Sequence, residues 1–271
     1  MAIYQKKTSS SVAVISGFFI ILLVCAIVSY AIYAVLMNDP IDKETLCPSS
    51  GPKGQYVVLI DNTSPFPYTQ KVALAQRLKN IIKDDLPEGY MLSIFLLGED
   101  AAKNDEPLFE RCSPGQWGDK SQLSSNKKFI ERDFREKFSK PLDKVVSQIS
   151  LHEDAKKSPI FEMLQLAGIN GFERVDVKGE RKLIIYSDML ANTSDFSMYR
   201  LNIPTYEDFS KTIYARRALA PALHDVSVSM NIISGSEKNQ KTQSTKLISF
   251  WEHYFEASGA TVESVDFIEG L

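Results

Sequence analysis

The chain has 271 residues, of which 44% are hydrophobic and 24% charged, with a formal net charge of −3. Those values suit a chain that buries a core and exclude a disordered one. The slightly negative charge, with lysines and arginines spread along the chain, excludes a general affinity for nucleic acid.

Residues 12–37, from Val12 to Met37, carry no charge and are dominated by Val, Ile, Leu, Phe and Ala. A helix needs roughly 20 such residues to cross the hydrocarbon layer. The apolar stretch of a signal peptide is roughly 7–15 residues and ends in small residues. This run is longer and continues through Val35, Leu36 and Met37, so it reads as an uncleaved anchor. Lys6, Lys7 and the amino terminus precede it; Asp39, Asp42 and Glu44, against Lys43 alone, follow it. Positive flanks stay cytoplasmic. Residues 1–11 are therefore expected inside the cell and the rest outside, in the periplasm if the cell is Gram-negative.

Residues 38–54 read as a linker, with Pro40, Pro48, Gly51, Pro52 and Gly54 breaking regular structure. Cys47 and Cys112 are the two cysteines beyond the anchor, and an oxidising compartment favours one disulfide between them over two unpaired thiols.

Residues 55–271 alternate between two kinds of segment. Tyr56–Ile60 is a continuous apolar run, as expected of a strand buried on both faces. Tyr68–Lys83 has a helical stripe at Val72, Ala75, Leu78, Ile81 and Ile82. Tyr90–Leu97 is a second strand. Leu108–Gly118 reads as irregular, with a short edge strand at most. Lys127–Ile149 is one long helix or two short ones. A helix starts at Pro159 with Ser158 at its mouth, and Lys182–Ser187 is a third buried strand. Helix Tyr206–Leu219, strand Val226–Ile233, helix Lys241–Ser258 and strand Thr261–Ile268 complete the chain. This alternation predicts an α/β fold: a doubly wound, mostly parallel sheet covered on both faces and preceded by one transmembrane helix.

Three separated segments supply hard oxygen donors. Asp61 and Thr63 follow the first strand, Ser158 precedes a helix, and Asp188 ends the third strand. Ligand crevices in open α/β sheets lie beyond the carboxyl ends of strands. Two carboxylates plus hydroxyls, without His or Cys nearby, favour Mg²⁺, Mn²⁺ or Ca²⁺ over zinc.

In that order and context the sequence resembles the von Willebrand factor type A family in its membrane-anchored, bacterial-type form. That family's metal ion-dependent adhesion site begins with Asp-x-Ser-x-Ser after the first strand. It continues with a Thr in a later loop and an Asp at the end of the fourth strand. Asp61 and Thr63 match the first motif, Ser158 the loop hydroxyl and Asp188 the last Asp. Two positions depart from the pattern and make the site partly degenerate: Pro65 replaces the second Ser, and Met189 stands where Gly usually follows the Asp. The resemblance implies a protein-binding or scaffold module in which a divalent ion held by Asp61, Thr63, Ser158 and Asp188 accepts a partner's acidic side chain. The same fold without the ion implies an interaction domain of an envelope complex, binding through loops such as Cys112–Gly118 and Asn192–Pro204. A metal-dependent hydrolase using the two aspartates is a third reading.

Each donor also has a plain structural role available. Asp61 suits a turn, Ser158 a helix cap before Pro159, and Asp188 a cap for whatever follows it. His152, His224 and His253 show no metal-ligand spacing, and no catalytic triad is evident. Ser234–Lys238 lacks the phosphate-loop spacing. Phe250, Trp251, Tyr254 and Phe255 read as core packing.

Overall fold

The structure is a computed structural model that describes residues 10–36, 39–63, 68–100, 105–116, 118, 126–148, 155–173, 177–199, 203–233 and 240–268. The chain divides into two units, Met1–Ile41 and Asp42–Leu271. The first holds one helix, α1 (Ser10–Leu36). Its Ile15–Tyr33 stretch of 19 residues is long and apolar enough to cross a membrane, and none of it is buried against protein. At 1.5 Å per residue its 27 residues span about 40 Å, more than a hydrocarbon core of roughly 30 Å.

The second unit is a six-stranded sheet with helices on both faces. In chain order its elements are β1 (Gln55–Asp61), α2 (Tyr68–Asn80), β2 (Met91–Leu97), β3 (Phe109–Cys112), α3 (Lys127–Phe134), α4 (Lys140–Gln148), α5 (Ile160–Gly168), β4 (Arg181–Ser187), α6 (Tyr206–Ser210), α7 (Ile213–Ala218), β5 (Ser227–Ile233), α8 (Gln240–Ala257) and β6 (Thr261–Ile268). The strand order is β3-β2-β1-β4-β5-β6. All pairs are parallel except β2–β3, which is antiparallel. The doubly wound, mostly parallel sheet expected from the alternation of apolar runs is present.

β1 lies at the centre of the sheet, and all seven of its residues are buried. Its side chains alternate between two cores, as the pleat requires. Val57 and Leu59 face α5 and α8, with Leu183, Ile185, Val228 and Met230 beside them. Val58 and Ile60 face α2 and the α3–α4 region, where Leu74, Leu78, Phe138 and Leu142 pack. The aromatic run of α8 belongs to the first core: Phe250, Trp251, Tyr254 and Phe255 are each at most 1% exposed. Phe161 of α5 sits among them, with ring centroids 4.9 Å from Trp251 and 5.1 Å from both Tyr254 and Phe209. Such pairs add about 0.5–1.5 kcal/mol each beyond area burial.

Two boundaries differ from expectation, and a third resolves to one of two expected forms. The globular unit begins at Asp42 rather than Gln55. Asp42 receives hydrogen bonds from Glu44 and Thr45, Leu46 is buried, and Cys47 is joined to Cys112 by a disulfide. Residues 42–54 thus carry turn chemistry without being a free spacer. Of the one long helix or two short ones expected over Lys127–Ile149, the two are present, α3 and α4, joined through a π turn at Arg135–Ser139. The one expected over Tyr206–Leu219 breaks into α6 and α7, because Thr212 caps α7 through a bond from the Ala215 amide to its hydroxyl.

Candidate functional site

The strand order reverses between β1 and β4, and the crevice beyond their carboxyl ends is where an open α/β sheet presents ligand-binding residues. Asp61 ends β1 and Ser187 ends β4. Both lie on the face shared by Leu59 and Ile185, so their side chains meet above the first core.

Asp61 is 1% exposed. Its Oδ1 accepts from the Thr63 amide at 2.8 Å and the Thr63 hydroxyl at 2.7 Å, and its Oδ2 accepts from the Ser187 hydroxyl. Burial pushes the Asp61 carboxyl above the usual carboxylate range, against the lowering effect of the Ser187 and Thr63 hydrogen bonds. The Thr63 hydroxyl also lies 2.9 Å from Ser158 Oγ. Asp61, Thr63, Ser158 and Ser187 therefore form one buried network drawn from three chain segments. Ser158 does not cap α5. Pro159 occupies the cap position without a side-chain bond, and the Ser158 hydroxyl is turned to Thr63 instead. The Ser158 backbone is fixed by paired bonds to Asn192, at 2.7 and 2.9 Å.

Asp188 is placed differently. It is half-buried, its Oδ1 accepts from the Leu190 amide at 2.8 Å, and its Oδ2 accepts from the Tyr199 hydroxyl at 3.1 Å. The first of these is the local turn that Asp forms with the backbone two residues on. Met189 follows in a left-handed conformation, φ 58°, with its side chain fully buried and its carbonyl accepting from the Trp251 indole at 2.9 Å. The position that the family gives to glycine thus keeps a glycine-like backbone here, at a cost of about 1–2 kcal/mol. Ser64 and Pro65 lie outside the described residues.

Among the described residues no group of three or more His, Cys, Asp or Glu is placed to hold a metal; the donors here are two carboxylates and hydroxyls. Of the four residues singled out in the sequence, the structure brings together Asp61, Thr63 and Ser158, and ties Asp188 to the adjoining loop. Sequence reasoning missed Ser187 and Tyr199. Ser187 has a readable signal, since it is the residue beside Asp61 on the neighbouring parallel strand once the register Ile60–Tyr186 is known. Tyr199 has none, because it arrives through an irregular loop. His253 stacks on Tyr206 and bonds to the Ser249 carbonyl.

The mostly parallel sheet in the order β3-β2-β1-β4-β5-β6, with its antiparallel edge strand and helices on both faces, is the von Willebrand factor type A-like, doubly wound α/β fold that the sequence resemblance implies. No protein-family model matches the sequence, and no curated protein does. Among solved structures the chain is similar to the SpRpn10 VWA domain, at 10% identity over 81% of this chain and 89% of that one, with a TM-score of 0.42. It is also similar to an aerotolerance-related membrane protein from Bacteroides fragilis (10% identity, 79% and 90% of the two chains, TM-score 0.39). A third is proximal thread matrix protein 1 from the mussel byssus, solved with a zinc-occupied MIDAS motif (11%, 80% and 44%, TM-score 0.38). At these identities the likeness is one of fold.

Proposed function

We propose that this chain is a membrane-anchored interaction module that binds a protein partner at the carboxyl rim of its sheet, through a divalent cation held by Asp61, Thr63, Ser158 and Asp188. The observation that carries the reading is the convergence of Asp61, Thr63 and Ser158 oxygens at the strand-order reversal. Their spacing suits a small hard ion. Adjacent ligands of an octahedral Mg²⁺ with bonds of about 2.0–2.1 Å lie about 2.9 Å apart, and Thr63 Oγ1 is 2.7 Å from Asp61 Oδ1 and 2.9 Å from Ser158 Oγ. A bound cation would offset the burial of the Asp61 charge and leave positive charge for a partner's Asp or Glu. Asp188, held by Tyr199 and Leu190, would act through water or as an outer carboxylate.

One observation favours a metal-free form of the same reading. Both Asp188 oxygens already have protein donors, and Tyr199, 55% exposed, presents an aromatic ring at that rim. The charge pattern around α1 supports an extracytoplasmic domain.

The test is affinity capture of the full-length protein from its native membrane in Mg²⁺, in EDTA, and as Asp61→Ala, with calorimetric Mn²⁺ titration of the purified wild type and variant. Ion binding and a partner that are both lost in Asp61→Ala are expected. A partner kept in all three samples, with no heat of ion binding, would leave the metal-free form standing and remove the ion from the proposal.

A further inference from the structure

The two edges of the sheet differ. β3 is four residues long and is tied off: the Cys112 amide donates to the Thr45 carbonyl at 2.7 Å, and the Cys47–Cys112 disulfide fastens residues 42–47 to the same strand end. β6 is eight residues long and pairs with β5 alone. An edge of that kind offers a row of backbone N–H and C=O groups to another strand.

The two faces of β6 carry different chemistry. Val265 and Phe267 stand beside Met230 and Ile232 of β5, on the face of the first core. Val265 is half-buried there and Phe267 is 41% exposed. Asp266 stands beside Asn231 on the other face. It is exposed and has no hydrogen bond or ion pair among the described residues. Arg77 of α2, on that side, donates to the Asn231 side chain at 3.1 Å. Glu263 is the extra residue of a bulge opposite Val228 and Ser229, and Lys182 pairs with it at 2.8 Å. The stretch left in regular register is Ser264–Ile268, and its one charge is Asp266.

A bulge and a charge on an edge strand guard it against its own kind. If a second copy added antiparallel over the whole of Ser264–Ile268, the middle residue would face itself, Asp266 against Asp266. Like charges directly opposite destabilise a strand pair, and opposite charges stabilise it. The same carboxylate therefore turns away a second copy and favours a basic strand. We infer that β6 accepts an extended strand of a protein partner, with apolar residues against Val265 and Phe267 and a lysine or arginine opposite Asp266. Backbone hydrogen bonds along the edge supply the attachment, and the alternate side chains select the partner. This edge works without the cation proposed for the carboxyl rim.

The test uses the full chain in phosphatidylcholine nanodiscs, which carry no net charge, with EDTA present. The probe is the capped, fluorescently labelled peptide Val-Thr-Val-Lys-Val-Thr-Val, followed by anisotropy. It is compared with the same peptide carrying Glu for Lys, and with two N-methylated forms, one blocking each edge of the peptide. Saturable binding of the Lys peptide is expected, about three- to tenfold tighter than the Glu peptide. Methylation of one edge should abolish binding and methylation of the other should leave it. The β6 amides should exchange with deuterium more slowly in the complex. Asp266→Lys, a change at an exposed side chain, should reverse the preference to the Glu peptide. No saturable binding, equal affinity for the two peptides, indifference to both methylations, or a Lys preference kept in Asp266→Lys would overturn the inference. Protection of the β6 amides that rises with protein concentration in the absence of peptide would overturn it in favour of a second copy.

Discussion

Breaking the Cys47–Cys112 bond offers a sharp test of how the domain is closed. The two cysteines are 65 residues apart in sequence. In the chain-entropy picture a crosslink closing a loop of that length lowers the entropy of the unfolded chain enough to stabilise the fold by about 4 kcal/mol at 25 °C, within the usual 2–5 kcal/mol for removal of a native disulfide. The structure gives the bond something to hold. Cys112 ends the edge strand β3, its amide donates to the Thr45 carbonyl at 2.7 Å, and Met91 packs on the pair. The bond thus ties residues 42–47 to the β2–β3 edge. For a unit of roughly 230 residues, 42–271, about 2–4 °C per kcal/mol gives a fall in melting temperature of about 8–16 °C. The assay is calorimetry of Cys112→Ser, and of the wild type with and without reductant. A wild type whose melting temperature is unmoved by reductant, with both thiols reacting with a maleimide before reduction, would refute the crosslink and with it the argument for an oxidising compartment.

Asp61→Asn should stabilise the ion-free domain near neutral pH. Burial raises the Asp61 pKa in the folded state, so the folded chain keeps that proton to higher pH than the unfolded one. Stability therefore falls as pH rises from the unfolded value through the folded one, and the variant should lose that part of the pH dependence in EDTA melts; an unchanged profile would contradict it. Gln55, 0% exposed with neither side-chain amide atom hydrogen-bonded among the described residues, should gain about 1–3 kcal/mol as Gln55→Leu, read from urea midpoints; a loss of stability would mean that its amide has a partner. Met189→Gly should relieve about 1 kcal/mol of backbone strain but lose a fully buried side chain worth more, for a net loss of about 1–4 kcal/mol; a stabilised variant would show the packing to be poor.

The sheet was legible because its strands sit where sequence carries most information. Tyr56–Ile60 and Lys182–Ser187 are apolar on both faces, which solvent-facing strands are not. α8 was legible because Phe250, Trp251, Tyr254 and Phe255 lie on one helical face. The start of the domain was not legible: the prolines and glycines of residues 48–54 look the same in a free linker and in turns pinned by a disulfide. The site was half legible. Asp61 and Thr63 are neighbours in sequence, so their bond is local. The bond from Thr63 to Ser158 spans 95 residues, and only the register of β1 against β4 brings Ser187 to Asp61. The break at Thr212 was missed because a capping threonine inside an apolar-periodic stretch does not interrupt the period.

Costs in this domain gather at one rim. The Asp61 carboxyl there is buried, against its own solvation. Two residues beyond Ser187, past the end of the neighbouring strand, Met189 holds a backbone conformation that disfavours its side chain, and the Trp251 indole locks it there from the opposing helix. The buried carboxylate is not needed to cover the core, which apolar side chains, Met189 among them, complete on both faces of the sheet. Folds tolerate local conflicts where a site requires them and offset those conflicts elsewhere. The offset is visible here: the aromatic cluster around Phe161 includes Trp251, whose indole donates to the Met189 carbonyl. In the proposed ion-binding form, the hydrogen bonds that hold Thr63 Oγ1 2.7 Å from Asp61 Oδ1 and 2.9 Å from Ser158 Oγ would preset the ligand spacing, and rearrangement on binding would fall on the Asp188–Tyr199 contact at the half-exposed edge.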